Sequence, residues 1–448
     1  MYVADSRGTP AQPVTTPTAA ARDSRPGRRA AVAPTVLALG TVSLVTDVSS
    51  EMVTAVLPLY LVAGLGLSPL GFGLLDGLYN GVSALVRLTG GHLADRSGGH
   101  KAVAGLGYGL SALAKPLLLL VHTLPGIGAV LALDRTGKGL RTAPRDALIS
   151  LASEPAERGR AFGVHRAMDT AGAMIGPLVA FVILRRAAEG YDAVFTVSAC
   201  VAALGVLVLV LFVPGRAAAA TAAGAPAHPP AGERASLRAS FGLLRHRDLR
   251  RISLCALLLG LTTVSDAFVF LLLQHRTGLA DRWFALLPLG TAGAFFLLAL
   301  PLGRLADRIG QWRVFLGGHV ALLLAYGLLL SGWRGPGLPY AVLLLHGLFY
   351  AATDGVLMAA AAGVVPEGLR AGGLAVVQTG QALARFVCSL AFGAAWTAWG
   401  ERPALLAAAT GLALCLLLAA RLAPAGPEPS PTPADTAPAP AAPGKAPA

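Results

Sequence analysis

Asp47 and Glu51 stand one helical turn apart in Thr46-Asp47-Val48-Ser49-Ser50-Glu51, and Thr54 and Pro58 continue the same helical face. Two carboxylates at that spacing disfavour joint ionisation, so one of them is expected to exchange a proton near neutral pH. A second charged run begins at Asp134-Arg135-Thr136-Gly137-Lys138 and places Asp134, Lys138, Arg141 and Arg145 on one face. Arg135 or Lys138 could hold one of the first two acids as an anion and leave the other to carry the proton. The alternative is that both acids are paired with these bases and only bind the helices together. Arg141 and Arg145 are expected near headgroup level, where long basic side chains snorkel. Thr-Gly-Lys-Gly within the run lacks the leading Gly and the hydroxyl residue of a phosphate-binding loop.

Further charges fall in apolar stretches: Arg166 and Asp169, three residues apart, then Asp266, Asp354 and Arg385. A charged side chain at mid-bilayer costs about 2.5–3.5 kcal/mol even on a lenient scale, so each should face a cavity or a partner. Arg166 and Asp169 can neutralise one another, and Asp354 and Arg385 can pair across a cavity. Asp76, Arg87 and Lys115 are intramembrane but nearer the helix ends.

A membrane is implied by the surroundings of these residues. The chain has 448 residues, 55% hydrophobic and 13% charged, with mean hydropathy +0.65, whereas soluble domains are about 25% charged. The apolar runs are about 20 residues long, enough to cross a hydrocarbon core of about 30 Å. They must be helical, because a bilayer leaves no other partner for backbone amides. Twelve helices are predicted, at 35–63, 70–93, 101–123, 125–150, 160–184, 191–213, 249–274, 283–305, 313–332, 339–362, 373–398 and 403–422. They give a basic cytoplasmic arm (1–32), an N-terminal six-helix bundle (33–213), a cytoplasmic linker (214–248), a C-terminal six-helix bundle (249–422) and a Pro/Ala-rich tail (423–448), with arm and tail expected to be disordered. Lys and Arg crowd the arm, the linker and alternate loops, which places both termini in the cytoplasm. The net charge of +13 thus reflects topology and not nucleic-acid binding. Cys200, Cys255, Cys388 and Cys415 are widely spaced in apolar segments and read as packing residues, with no metal or cofactor site expected.

One charged turn occurs twice. Gly91-His92-Leu93-Ala94-Asp95-Arg96-Ser97-Gly98-Gly99-His100-Lys101 shares G-x-L-A-D-R-x-G with Gly303-Arg304-Leu305-Ala306-Asp307-Arg308-Ile309-Gly310, 212 residues later. Arg160-Ala161-Phe162-Gly163 and Arg370-Ala371-Gly372-Gly373 correspond at an offset of 210. A repeat of nearly half the chain indicates two homologous membrane halves. The turn resembles the loop signature of the major facilitator superfamily of transporters, found between helices 2 and 3 and, more weakly, between helices 8 and 9. It departs from that signature at Gly99 and His100, where a basic pair is usual. Arg135-x-x-Lys138-Gly139 resembles the superfamily's helix-4 signature, which is tied to proton coupling. Gly163, Gly172, Gly176 and Pro177 resemble its helix-5 antiporter signature, with Ala180-Phe181 in place of the final Gly pair. Asp47-x-x-Ser50-Glu51-Met52 and the rest of the first half look like one prokaryotic group of the superfamily, a likeness that implies transport without naming a cargo.

The resemblance implies an all-α membrane protein with twelve transmembrane helices in two pseudo-symmetric six-helix bundles around a central cavity. It implies gating loops at Gly91, Asp95, Arg96, Gly98 and Lys101 and at Gly303, Asp307, Arg308 and Gly310, and a hinge at the helix-5 glycines; plain small-residue packing is the alternative for the latter. The expected function is secondary active transport by alternating access, as proton-coupled antiport exporting a small organic molecule. Uptake by proton symport is the second reading. A membrane enzyme or non-transporting scaffold is disfavoured, and of the enzyme motifs neither H-E-x-x-H nor G-x-S-x-G occurs. Five helix-borne bases (Arg87, Lys115, Arg135, Lys138, Arg166) hint at an anionic cargo unless Asp47, Glu51, Asp134 and Asp169 neutralise them. The expected partners are that cargo, protons and the lipid of the cell membrane, with the protein a monomer.

Overall fold

Pro34 starts the first helix where a missing N–H costs nothing, because the first amides of a helix have no partner of their own. This helix, α1 (Pro34–Leu59), runs through Pro58 into a single π turn over Tyr60–Gly64. The computed structural model describes residues 33–97, 100–153, 157–187, 190–214, 245, 247–365 and 370–422. The expected arm, the tail and most of the linker lie outside the described residues.

The first half continues as α2 (Pro69–Ser97), α3 (His100–Leu117), α4 (Leu124–Leu151), α5 (Arg158–Arg186) and α6 (Gly190–Phe212). The second comprises α7 (Arg247–Gly260), α8 (Asp266–Thr277), the single turn α9 (Asp281–Phe284), α10 (Leu287–Ile309), α11 (Gln311–Leu330), α12 (Leu338–Thr353), α13 (Val356–Val364), α14 (Arg370–Trp399) and α15 (Glu401–Arg421). No strand occurs among the described residues. Eight segments are long and apolar enough to cross a membrane by length and composition alone. The other expected spans are short (α3), interrupted (the seventh) or less apolar (α2 and the charge-rich α4).

Three expected helices end well short of their predicted extent or are broken. The third ends at Leu117 and not at 123, because beyond Pro116 the chain leaves the helix through i→i−3 bonds at Leu118, Leu119 and Leu120. The seventh, expected to be continuous over 249–274, is broken between Gly260 and Asp266. The Val264 N–H donates to the Tyr326 hydroxyl at 2.8 Å, and that hydroxyl donates to the Thr262 carbonyl at 3.4 Å, so a side chain of α11 satisfies the opened backbone. The tenth, expected over 339–362, is broken at Asp354-Gly355, where Gly355 has φ +80°, a conformation open to glycine and strained for other residues.

Packing repeats between the halves. α1 packs on α5 and α6, α3 on α4 and α6, and α2 on α4; in the second half α7 packs on α14 and α15, α11 on α12 and α15, and α10 on α12. These are the same pairs displaced by six spans, which is the pseudo-symmetry expected from the repeats. Large apolar side chains such as Leu207, Val210, Leu297, Leu300, Leu414 and Leu417 face outward, as lipid-facing positions must.

The halves meet mainly where α2 lies along α14. Small residues permit it: a Cβ on Gly77 would stand 3.0 Å from the Phe386 carbonyl oxygen, and Gly73 and Gly393 abut backbone directly. The Leu70 N–H donates to the Thr397 hydroxyl at 2.9 Å. Phe72, Phe268, Phe392 and Trp396 cluster across the same seam, with centroids of neighbouring rings 4.8–5.9 Å apart. This contact lies toward the end of the bundle expected to be external.

Candidate functional site

The charged face of α4 is turned inward, and it meets α1, α3 and α5 at two depths. At the first, the Asp134 carboxylate accepts from the Ser111 hydroxyl (2.6 Å), the Lys115 ammonium (2.8 Å) and the Arg135 guanidinium (2.5 Å), all buried. Arg135 also lies over the Tyr79 ring at 3.8 Å, and the Tyr79 hydroxyl is 2.8 Å from that of Thr54. One acid thus neutralises one of two buried bases and hydrogen-bonds both, which fixes α3 to α4. Buried charge of this kind is tolerated only when its polar atoms are matched.

At the second depth, Arg141 donates to Asp47 at 3.2 Å and lies over the Tyr108 ring at 4.6 Å. Arg145 reaches Asp169 at 3.6 Å, Asp146 at 3.0 Å and the Ser43 hydroxyl at 3.3 Å, and Ser43 in turn is 2.9 Å from His165 Nε2. Arg166 also pairs with Asp169 at 3.6 Å, from a largely exposed position. Glu51 is met by Lys138 at 3.6 Å, both half-exposed. The two acids of α1 are therefore paired with different bases of α4. Asp47 takes Arg141, not Arg135 or Lys138, and Arg141 is buried instead of lying at headgroup level. Asp47 and Tyr108 draw it inward, where an uncompensated acid would cost more than the desolvated guanidinium.

Between the halves lies a cavity of about 240 Å³, lined by Glu51, Asp76 and Tyr79 from the first half and by Asp266, Tyr350 and Arg385 from the second. A smaller one of about 50 Å³ adjoins it within the second half and shares Tyr350 and Arg385, with Asp354 and His319 on its wall. Asp76 accepts from the Ser389 hydroxyl at 2.6 Å, across the α2–α14 seam. Asp266 opens α8, where unpaired amides favour an anion; it accepts from the Tyr350 hydroxyl and lies 3.5 Å from His346 Nε2. The expected Asp354–Arg385 pair is not made: Asp354 ends α12 at the break, and among the described residues Arg385 has no acid within 4.0 Å.

Of the hinge glycines, Gly172 and Gly176 press on α1: a Cβ on Gly176 would stand 2.8 Å from the Val48 carbonyl oxygen. Gly163 has nothing within 4 Å and takes no part. Pro177 is buried beside them. In the first gating loop the helix persists, carrying Gly91, Asp95 and Arg96 within α2 to Ser97, while the side chains of that stretch and Gly98 lie outside the described residues. Lys101 donates to the Val210 and Val213 carbonyls at 3.2 and 2.5 Å, closing the C-terminal end of α6. In the second loop Asp307 and Arg308 are exposed on the last turn of α10, Gly303 is partly buried one turn earlier, and Gly310 ends the helix with φ +99°.

Several participants carried little signal in the sequence. Lys115, Asp76 and Arg141 were visible as charges but stood nearer helix ends by count. Tyr79, His165, His346 and Tyr350 act through contacts between distant segments.

Comparisons with known proteins agree with this geometry. The family model described as Major Facilitator Superfamily matches residues 39–330 and 285–446. An uncharacterized MFS-type transporter of Methanocaldococcus jannaschii is 28% identical over 369 residues, 81% of this chain and 88% of that protein. The crystal structure of the nucleoside transporter NupG superposes with TM-score 0.71 at 13% identity, covering 87% of this chain and 98% of that one. A bacterial homologue of the human lysosomal transporter Spinster, inward-facing and unoccupied, superposes with TM-score 0.68 at 16% identity, covering 87% and 96%. With its two six-span halves, its inter-half cavity and a family match over most of its length, the chain belongs to the Major Facilitator Superfamily.

Proposed function

We propose that the protein exports a small organic molecule in exchange for protons, by alternating access of the cavity between its halves. The observation that carries this reading is the cavity itself, whose ionisable walls come from both halves, so that any rocking of one half against the other remakes the site. Its volume of about 240 Å³ suits a small cargo. Cell-membrane residence with cytoplasmic termini, and latching by Asp95 with a lesser part for Asp307, belong to the same proposal.

Most of the bases that hinted at an anionic cargo already have acids. Lys115 and Arg135 share Asp134, Lys138 meets Glu51 and Arg166 meets Asp169; the Arg87 side chain lies outside the described residues. Among the described residues this leaves Arg385 as the cavity base available to an anionic group of the cargo. The test is a pH-gradient assay in proteoliposomes against a panel of organic anions, chelators and amphiphilic amines. Release of one compound driven by an opposing proton gradient, with proton movement reported by a trapped dye, is the expected result. Transport of a compound along with protons would replace antiport by symport, and no gradient effect on any transported compound would remove proton coupling.

A further inference from the structure

We propose that Asp266 and His346 together form the proton-binding site of this transporter, in its second half. The proposal rests on the proton-coupled reading above and assigns it a place. In the first half, Asp47, Glu51, Asp134 and Asp169 each have an Arg or Lys within 4.0 Å. A proton arriving at any of them must displace an ion pair. Asp266 differs from these four, as does Asp76: among the described residues neither has an Arg or Lys within 4.0 Å, and the partners of Asp266 within reach are the Tyr350 hydroxyl and the His346 ring, neither a fixed charge.

The histidine is built into both protonation states. His346 is 1% exposed on α12, behind the cavity wall that Asp266 forms. Its Nε2 stands 3.5 Å from Asp266 Oδ1, and its Nδ1 stands 3.3 Å from the Thr291 hydroxyl on α10. A neutral ring can donate from Nε2 to the carboxylate and accept at Nδ1 from the threonine hydroxyl. An imidazolium donates from both nitrogens, to the carboxylate and to the same hydroxyl oxygen turned about. Protonation therefore keeps both ring nitrogens matched, and it converts an acid–neutral contact into an ion pair without moving a heavy atom.

The route and the consequence follow from the helix breaks. Asp266 is the first residue of α8, half-exposed to the cavity, so a proton taken from cavity water by its carboxyl passes to Nε2 in the neutral tautomer that carries its hydrogen on Nδ1. Tyr350, one turn beyond His346, orients the carboxylate and is a positioning residue, as is Thr291. The other charges that bear on the pair are Arg385 from α14, Asp76 from α2 and Asp354 at the end of α12; Phe270 and Phe349 provide the apolar walls. Because α8 begins at one break and α12 ends at the other, charging the pair alters the contact between pieces of two broken spans. Discontinuous spans of this kind are where transporters place their ion sites.

The test needs no cargo. The full chain, labelled with 15N-histidine and held in lipid nanodiscs, contains nine histidines, and His346→Gln identifies the relevant signal by its loss. The expected result is that the His346 signal passes from neutral ring to imidazolium between pH 5 and 8. Asp266→Asn should displace that midpoint by about one pH unit or more, the effect of a close opposite charge, while the signals of the distant histidines stay in place. Should Asp266→Asn fail to fold, Tyr350→Phe frees the same carboxylate from its second donor and should also displace the midpoint. A His346 ring held in one state throughout this range, or a midpoint unmoved by these substitutions, overturns the proposal. Either failure leaves the cavity and the vesicle assay untouched, so it is distinguishable from failure of the transport reading.

Discussion

The two halves share a packing plan and use it differently. In the first, α1 and α4 are continuous helices whose acids each meet an Arg or Lys within 4.0 Å. In the second, their counterparts are broken, at 261–265 and at Asp354-Gly355, and carry few charges, of which Asp266 and Arg385 have no opposite permanent charge within 4.0 Å among the described residues. Matched buried charges are rigid, since moving one strands the other. A broken helix with free polar groups can rearrange at low cost. On the proposals above, the first half has the role of frame and the second half that of moving, proton-exchanging part.

The comparison is broken most directly at Asp134. Asp134→Ala would leave Lys115 and Arg135 buried without their acid, at a cost of about 3–5 kcal/mol, and should abolish folded yield as judged by size-exclusion profile and thermal unfolding. The half-exposed Glu51–Lys138 pair provides the contrast, since Lys138→Met should cost no more than about 1 kcal/mol in the same assay. If both variants are equally stable, the first half is not a charge-matched frame.

Overpacking ranks next. Gly176→Leu should force α5 off α1, at about 1–3 kcal/mol, and cysteine accessibility from the two sides should show one of the two states lost. Unchanged accessibility from both sides would mean that this contact does not move. Tyr326→Phe should cost about 1–3 kcal/mol by leaving the Val264 N–H unmatched at the seventh-span break. Hydrogen exchange of the 261–265 amides should rise in that variant, and exchange at wild-type rates would mean that the tyrosine does not hold the break.

The smallest effect is expected at the seam. Ser389→Ala removes the inter-half hydrogen bond to Asp76, about 0.5–1.5 kcal/mol, and should shift the balance toward separated outer ends by roughly two- to tenfold. Spin-label distances between the outer ends of α2 and α14 would report the shift. An unchanged distribution would place the latch elsewhere, with the Gly73–Gly393 contact as the next candidate.

The fold was legible because its signals are long. Apolar runs of bilayer length and a motif repeated at half-chain offset define spans and halves without reference to any contact. The Glu51–Lys138 approach was legible for the same reason, being face arithmetic on two regular helices. Depth was read less well. Arg141 counted as near the headgroups, but it is buried in the bundle beside Asp47. The breaks were nearly silent, because 261–265 contains no Gly or Pro and its backbone is completed by Tyr326, some sixty residues on. Asp354-Gly355 carried an Asp-Gly turn signal that the surrounding apolar run obscured. The Asp266–His346 pair joins spans eighty residues apart, and no pattern within either span announces the other.

The account turns on which half exchanges the proton, and that is open to one paired measurement. Asp47→Asn and Asp266→Asn would be reconstituted separately, and gradient-driven transport compared with counterflow for the compound that the vesicle panel identifies. The account predicts that Asp266→Asn folds and sustains counterflow while losing gradient-driven transport. It predicts that Asp47→Asn, which strands Arg141, loses folded yield first and keeps its coupling in whatever protein remains. A well-folded Asp47→Asn that has lost coupling, beside an Asp266→Asn that retains it, would contradict the account and return the proton to the first half.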